Sequence, residues 1–281
     1  ISFVAVVGGA APDAYRVVNV QSPGSPALTR LNVNGGVNID VYDIAVEGAG
    51  STAEGLVAIE DPNRAGQLQV YYSNNIRQFA PTWQPSHKPA IGNVDAHLVW
   101  DGTAYIGSES DGVTVSGVCK MVQGASGWAW NGVGLIDTIV AYNDYLESYD
   151  EYMAGVQWIE ASPSYAEAGD QTLYMVTNDY DWMDYEYLWR TTDGAAHWEL
   201  IMVEYLKAPQ SEIWSTYDYV GDEVLDLGYA DWTDYMWSVR TVPDFYNGDG
   251  GNKTMFMLAS INTSSYGAVD RLLRSTDAGD T

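Results

Sequence analysis

The stretch Tyr187 to Leu200, Y-L-W-R-T-T-D-G-A-A-H-W-E-L, has an echo at Arg271 to Thr281, R-L-L-R-S-T-D-A-G-D-T. Each runs from an apolar, arginine-flanked strand into Ser/Thr-x-Asp-x-(Gly/Ala). Such a segment is a turn before it is anything chemical. Its hydroxyl and carboxylate can fold back onto free backbone N–H groups, its small residue permits a left-handed backbone, and an aromatic such as Trp198 anchors the hairpin to its neighbours.

Ser275, Asp277, Gly279 and Thr281 follow S/T-x-D-x-G-x-T as far as the chain runs. Thr191, Asp193 and Trp198 follow it with Ala195 at the glycine place and His197 at the threonine place. The pattern resembles the Asp-box or BNR repeat of sialidase-like and sortilin-like proteins. The resemblance implies an all-β chain: a β-propeller of about five to seven four-stranded blades with Asp-box turns. It would span residues 1–281 as one domain, and because Thr281 falls just before the expected Trp, the propeller is expected to continue past it. In that family the box lies between outer strands, away from the central ligand site, so it identifies a fold and leaves function open.

Degenerate forms extend the pattern. Ser73 and Asn75 take the hydroxyl and carboxylate places before Pro81-Thr82-Trp83, and Ser108, Ser110, Gly112 and Thr114 fit the spacing with Ser for Asp. Short β-rich runs fill the intervals: V-V-N-V, V-N-I-D-V-Y-D-I-A-V, Leu56 to Glu60 and Leu68 to Tyr72. Ala96 to Trp100 and Thr103 to Ile106 flank an Asp101-Gly102 turn, a strong hairpin signal. The opening I-S-F-V-A-V-V reads as a first strand. No window sustains an apolar period of 3.6 residues with caps, so helix is expected to be nearly absent.

Two larger periods compete. Ser-Pro-Ser-Tyr at Ser162 to Tyr165, followed by D-Q-T-L-Y, reads as strand, exposed turn, strand. A similar line returns at Val242 to Phe245, with Pro163 to Pro243 spaced by 80 (243 − 163) and Asp193 to Asp277 by 84 (277 − 193). Against this, D-W-x-D-Y recurs at Asp181 and Asp231, an offset of 50 (231 − 181).

Acids outnumber bases 38 to 12, giving a net charge of −26 that would repel nucleic-acid phosphates and anionic lipid. The charge is uneven: residues 1–125 carry −5 (11 acids, 6 bases) and residues 126–281 carry −21 (27 acids, 6 bases). No apolar run reaches the roughly 18 residues of a membrane span. The single cysteine, Cys119, allows no internal disulfide, and V-S-G-V-C-K-M-V places it in a buried strand.

The acidic aromatic loops, Asn143 to Tyr152, Asn178 to Tyr187 and Tyr229 to Tyr235, allow three readings. They are solvated hairpin ends packed between blades, oxygen ligands for calcium, or aromatic platforms with paired carboxylates for a glycan. The better local calcium candidate is Asp244, Asn247 and Asp249 in a Gly-rich turn, although the spacing is not that of an EF-hand loop. His87, His97 and His197 are scattered and form no transition-metal set. Eight arginines without an Arg-Ile-Pro segment disfavour a sialidase. Asp181 and Asp231 share a context, but repetition is equally what a structural repeat gives, and no catalytic residue is assigned. Sequons at Asn252 and Asn262 lie in what read as exposed loops.

The leading expectation is therefore a non-enzymatic extracellular structural or interaction protein, a cell-surface layer or envelope scaffold component, self-associating or bound to other envelope proteins. A receptor or assembly factor with a defined protein partner is a related class. The alternative is a glycan-active propeller, either a glycoside hydrolase or a lectin-like binder. For a hydrolase, two carboxylates must converge in a concave site.

Overall fold

A computed structural model describes residues 1–18, 26–61, 67–92, 94–109, 117–124, 127–133, 138–143, 148–165, 170–179, 186–204, 231–247, 250–263 and 267–279. Among these the chain is nearly all β, with one short 3-10 turn at Gly50–Thr52. No helix among them is long and apolar enough to cross a membrane. The chain divides into two compact units, Ile1–Gly132 and Val133–Thr281.

Among the described residues the first unit holds three antiparallel sheets in which chain neighbours are also spatial neighbours. The first joins β1 (Ser2–Ala5), β2 (Ala14–Val18) and β3 (Ala27–Arg30). The second joins β4 (Val41–Glu47), β5 (Glu54–Glu60), β6 (Leu68–Ser73) and the short β7 (Gln84–Pro85). The third joins β8 (Val94–Asp101), β9 (Thr103–Glu109), β10 (Gly117–Gly124) and β11 (Gly127–Gly132). β8 turns directly into β9 at Gly102, whose φ of 67° needs a glycine, as the Asp-Gly pair signals.

Strand β5 shows why the sheets stack. Its run G-L-V-A-I has no polar position, so neither face can be left to water. Leu56 and Ala58 pack with Leu98, Ile106, Cys119, Met121 and Trp130 of the third sheet. Val57 and Ile59, pointing the other way, pack with Ala14, Leu31, Val33 and Ile76. Cys119 is buried within β10 as its context implied. A buried carboxylate, Asp13, binds the first sheet's loops: it accepts from the N–H groups of Ala14 (2.7 Å) and Val33 (3.2 Å) and from Arg30 Nε (2.6 Å).

Among the described residues the second unit holds two sheets. One runs β12 (Thr138–Asn143), β13 (Ser148–Ala161), β14 (Leu173–Asp179), β15 (Glu186–Thr191) and β16 (Glu199–Glu204). The other runs β17 (Asp231–Thr241), β18 (Met255–Thr263) and β19 (Gly267–Ser275). Tyr174, Val176, Leu188 and Ile201 of the first pack against Val239, Met255, Met257 and Ala259 of the second.

The two sheets repeat one another in hydrogen bonds at the longer period. Ser162 N–H donates to Thr172 O (3.0 Å) as Val242 N–H does to Thr254 O (3.2 Å), and Tyr165 N–H donates to Ser162 O as Phe245 N–H does to Val242 O (2.9 Å each). Leu173 stands opposite Thr191, as Met255 stands opposite Ser275. Among the described residues the period of 80 to 84 thus separates two consecutive sheets. The period of 50, which Arg190-Thr191 and Arg240-Thr241 also keep, joins unlike strands: Thr191 faces Leu173 as Ser275 faces Met255, whereas Thr241 faces Met255 as Ala161 faces Leu173, and Asp181 lies outside the described residues.

Ser162, Ser164 and Asp170 are buried, where the sequence suggests an exposed turn. Asp170 is buried, and its carboxylate accepts from Ser162 Oγ (2.6 Å), Ser164 Oγ (2.5 Å) and Thr172 N–H (3.0 Å). Burial alone would raise its pKa, but these hydrogen bonds outweigh it and hold the group below the usual carboxylate value. These three donors replace the water that the exposed reading assumed. Since the folded pKa is depressed, the stabilisation is complete above the ordinary value of 3.8 and is lost as pH falls through the folded one.

Three turns share one local geometry. The hydroxyls of Ser73, Thr191 and Ser275 donate to Oδ1 of Asn75, Asp193 and Asp277 at 2.9, 2.9 and 2.8 Å. Thr191 Oγ1 also accepts from Ala195 N–H (3.1 Å), and Ser275 Oγ from Gly279 N–H (2.8 Å). Oδ1 of Asn75 and of Asp193 each accepts a later backbone N–H, from Thr82 and His197 (2.9 Å each). Ala195 and Ala278 take left-handed φ values of 70° and 67°, held by these bonds despite their Cβ atoms. The two turns of the second unit are linked, because Ala278 O accepts from Tyr174 Oη (2.9 Å) and Arg190 Nη1 (2.8 Å).

Removing the Thr191 hydroxyl leaves the buried Ala195 N–H unpaired. Thr191→Val should therefore lower unfolding free energy by about 1–3 kcal/mol, whereas Thr192→Val at the exposed neighbouring position should stay within about 0.5 kcal/mol. Urea denaturation followed by tryptophan fluorescence reads both.

Candidate functional site

A concave site lies in the first unit, where the end of the β4–β5 hairpin meets the third sheet. It is an open pocket of about 290 Å³ lined by Glu47, Glu54, Trp100, Gly102, Thr103, Ala104, Met121, Gln123 and Trp128. Strand alternation assembles the wall. Trp100 pairs with Ala104 across β8–β9, and Gln123 pairs with Trp128 across β10–β11, so side chains two residues apart along each strand share one face.

The two glutamates are the last register pair of their hairpin, Glu47 opposite Glu54. Directly opposed positions hold their Cβ atoms about 4.5–5.5 Å apart, so two like charges share one wall. Each is anchored through one oxygen. Glu47 Oε1 accepts from Gly102 N–H (2.8 Å), and Glu54 Oε1 accepts from Tyr72 Oη (2.5 Å). Burial and the Glu54 carboxylate push the Tyr72 phenol well above its ordinary value, so it stays a donor at any working pH. Four residues upstream in β4, Asp43 Oδ2 accepts from Leu98 N–H (2.8 Å), so two β4 carboxylates take amides of β8 and of the Gly102 turn that follows it.

The aromatic side is held as firmly. The Tyr72 ring lies 4.9 Å from Trp128 and 6.4 Å from Trp100, tilted by 45° and 59°. Trp128 O accepts from His87 N–H (2.8 Å). That approach needs Gly127, which has φ +116° and where a Cβ would stand 2.6 Å from His87 Cδ2. All three rings are half-buried, with an edge or face left open. The pocket thus offers indole surfaces, two fixed carboxylates, and the hydroxyl and amide of Thr103 and Gln123.

The residues singled out from sequence lie elsewhere. Thr191, Asp193, Ala195 and Trp198 form one turn, and Ser275, Asp277 and Gly279 another, with Thr281 outside the described residues. Asp193 accepts from the ring Nδ1 of His197 (2.6 Å) and its backbone N–H, which pushes its pKa down to about 2. Of the expected calcium ligands, Asp244 Oδ1 accepts from Asn252 Nδ2 (3.0 Å) and Asn247 Nδ2 donates to Thr172 Oγ1 (3.2 Å). Asp249, Ser110, Gly112, Thr114 and Asp181 lie outside the described residues, as do the tips of the acidic aromatic loops. Among the described residues no group of three or more His, Cys, Asp or Glu is placed to hold a metal. Asn262 is not in a loop: it sits inside β18, paired with Trp232 and Ala268, because β18 stays in register with β17 and β19 as far as Thr263.

Sequence reasoning did not nominate Glu47, Glu54, Trp100 or Trp128. A signal existed in E-G-A-G-S-T-A-E, two glutamates bracketing a Gly-rich hairpin tip. No protein-family model matches the chain, and no curated protein matches it. Among solved structures it is similar to the α-L-arabinanase of Cellvibrio cellulosa at 10% identity and a TM-score of 0.33, over 84% of this chain and 73% of that one.

Gly127→Ala should force His87 and the Trp128 backbone apart. An unfolding free-energy loss of about 1–3 kcal/mol is expected, together with a change in near-UV circular dichroism from the displaced indole. An unchanged spectrum would show that Gly127 does not position Trp128.

Proposed function

We propose that the chain is a glycan-recognising β-propeller working outside the cell, with the Glu47, Glu54, Trp100 and Trp128 pocket as its sugar site. The observation that carries this reading is the convergence, in one concave site, of indole surfaces and fixed acceptor carboxylates. A pyranose offers an apolar C–H face and a rim of hydroxyl donors, and this wall supplies the complement to each. The propeller part is supported by five consecutive antiparallel sheets among the described residues, which would make five blades, and by the three turns with Asp-box-like bonding.

Binding is favoured over hydrolysis. A glycosidase places its two carboxyl groups on either side of the scissile bond, whereas Glu47 and Glu54 rise from one hairpin end on one wall. Each also already takes a hydrogen bond from the protein.

A second, assembly role has its own observation. Leu258 and Leu272 are direct cross-strand partners on β18–β19, yet are 40% and 68% exposed. Such a pair suits self-association in an envelope layer.

A panel of immobilised oligosaccharides probed with the whole chain tests the first reading. Binding to at least one glycan class is expected, weakened about tenfold or more by Trp128→Ala, with no release of reducing ends. Loss of no affinity on that substitution would place the sugar site elsewhere, and turnover would move the assignment to a hydrolase.

A further inference from the structure

We propose that this pocket selects a cationic sugar: the free 2-amino group of a hexosamine unit, carried as an ammonium between Glu47 and Glu54 with the ring laid on an indole face. The inference rests on the glycan reading above and adds the charge of the ligand.

Charge balance is the first ground. Glu47 and Glu54 oppose each other in register, and the donors each holds, Gly102 N–H and Tyr72 Oη, are both neutral. No basic side chain among the described residues lines the pocket. Two carboxylates therefore share one site without a counter-cation. An ammonium has three N–H donors and a positive charge, which is what two half-satisfied carboxylates lack.

Aromatic surface is the second ground. Indole is the strongest of the side-chain π faces for a cation, and Trp100 and Trp128 both open into the pocket beside the glutamates. The alternatives are each worse matched. A uronate or sialate would add a third negative charge to the site, on a chain already at −26. An N-acetylated sugar loses the charge and brings a carbonyl acceptor towards two acceptor carboxylates, where it would stay unpaired. A lysine side chain has the ammonium but no ring to lie on the indole, and it would leave the polar Thr103 and Gln123 wall without hydroxyl partners.

Isothermal titration calorimetry on the whole chain compares four probes: a β-1,4-linked glucosamine tetramer, its fully N-acetylated counterpart, cellotetraose, and Nα-acetyllysine methylamide. The glucosamine tetramer should bind about tenfold more tightly than the other two tetramers at low salt. That ratio should collapse towards one near 1 M salt, where the Debye length is about 3 Å. Glu47→Gln and Glu54→Gln should each narrow the ratio to about threefold, and Gln123→Glu, which adds a carboxylate to the same wall, should widen it. Equal affinity for the glucosamine and N-acetylated tetramers overturns the charge inference and leaves the glycan reading standing. Binding of the lysine amide as tightly as the glucosamine tetramer overturns it in favour of a peptide ligand. No binding of any tetramer removes the glycan reading and this inference together.

Discussion

Burial of both faces of single strands is the constraint on which the rest depends. β5 carries a run of apolar side chains with no polar alternate, so it folds only where a sheet covers it on each side. Once sheets must stack face against face, the first strand of one comes beside the first strand of the next. Backbone donors there need partners, and Asp43 and Glu47 of β4 supply them to Leu98 and Gly102. The same logic recurs in the second unit with different chemistry. There Trp158 Nε1 donates to Val239 O (3.0 Å), and Arg240 lies over the Trp158 ring.

The pocket follows from this stacking. The last pair of the β4–β5 hairpin, Glu47 and Glu54, lines the pocket beside Trp100 and Trp128 of the third sheet. In that sheet the half-buried Trp100 pairs with the buried Ala104, and the half-buried Trp128 stands two residues along β11 from the buried Trp130. The site is thus built on strand ends fixed by core packing, and its carboxylates are oriented before any ligand arrives.

Much of the fold was legible because the interactions that write it are local. The Thr191 and Ser275 turns close over four residues, and Asp101-Gly102 closes its hairpin in place. The long repeat was legible too, since Ser-Pro-Ser-Tyr and Val-Pro-Asp-Phe turn out to make the same backbone bonds. The site was not legible, because its contacts join positions 55 apart in sequence, as in Glu47 to Gly102, and no local pattern records which acid meets which indole. Composition drew attention instead to the acidic aromatic loops, since a count of acids carries no information on convergence. Asp170 shows the converse error: a carboxylate in a Pro/Ser/Gly context reads as solvated, while two serine hydroxyls and Thr172 N–H solvate it from within.

A crystal structure with a bound oligosaccharide tests the central claim most directly. The account predicts a sugar ring stacked on Trp100 or Trp128, with polar groups within about 3.2 Å of the Glu47 and Glu54 carboxylates. Density for the sugar away from this wall, or on the acidic aromatic loops of the second unit, would contradict it.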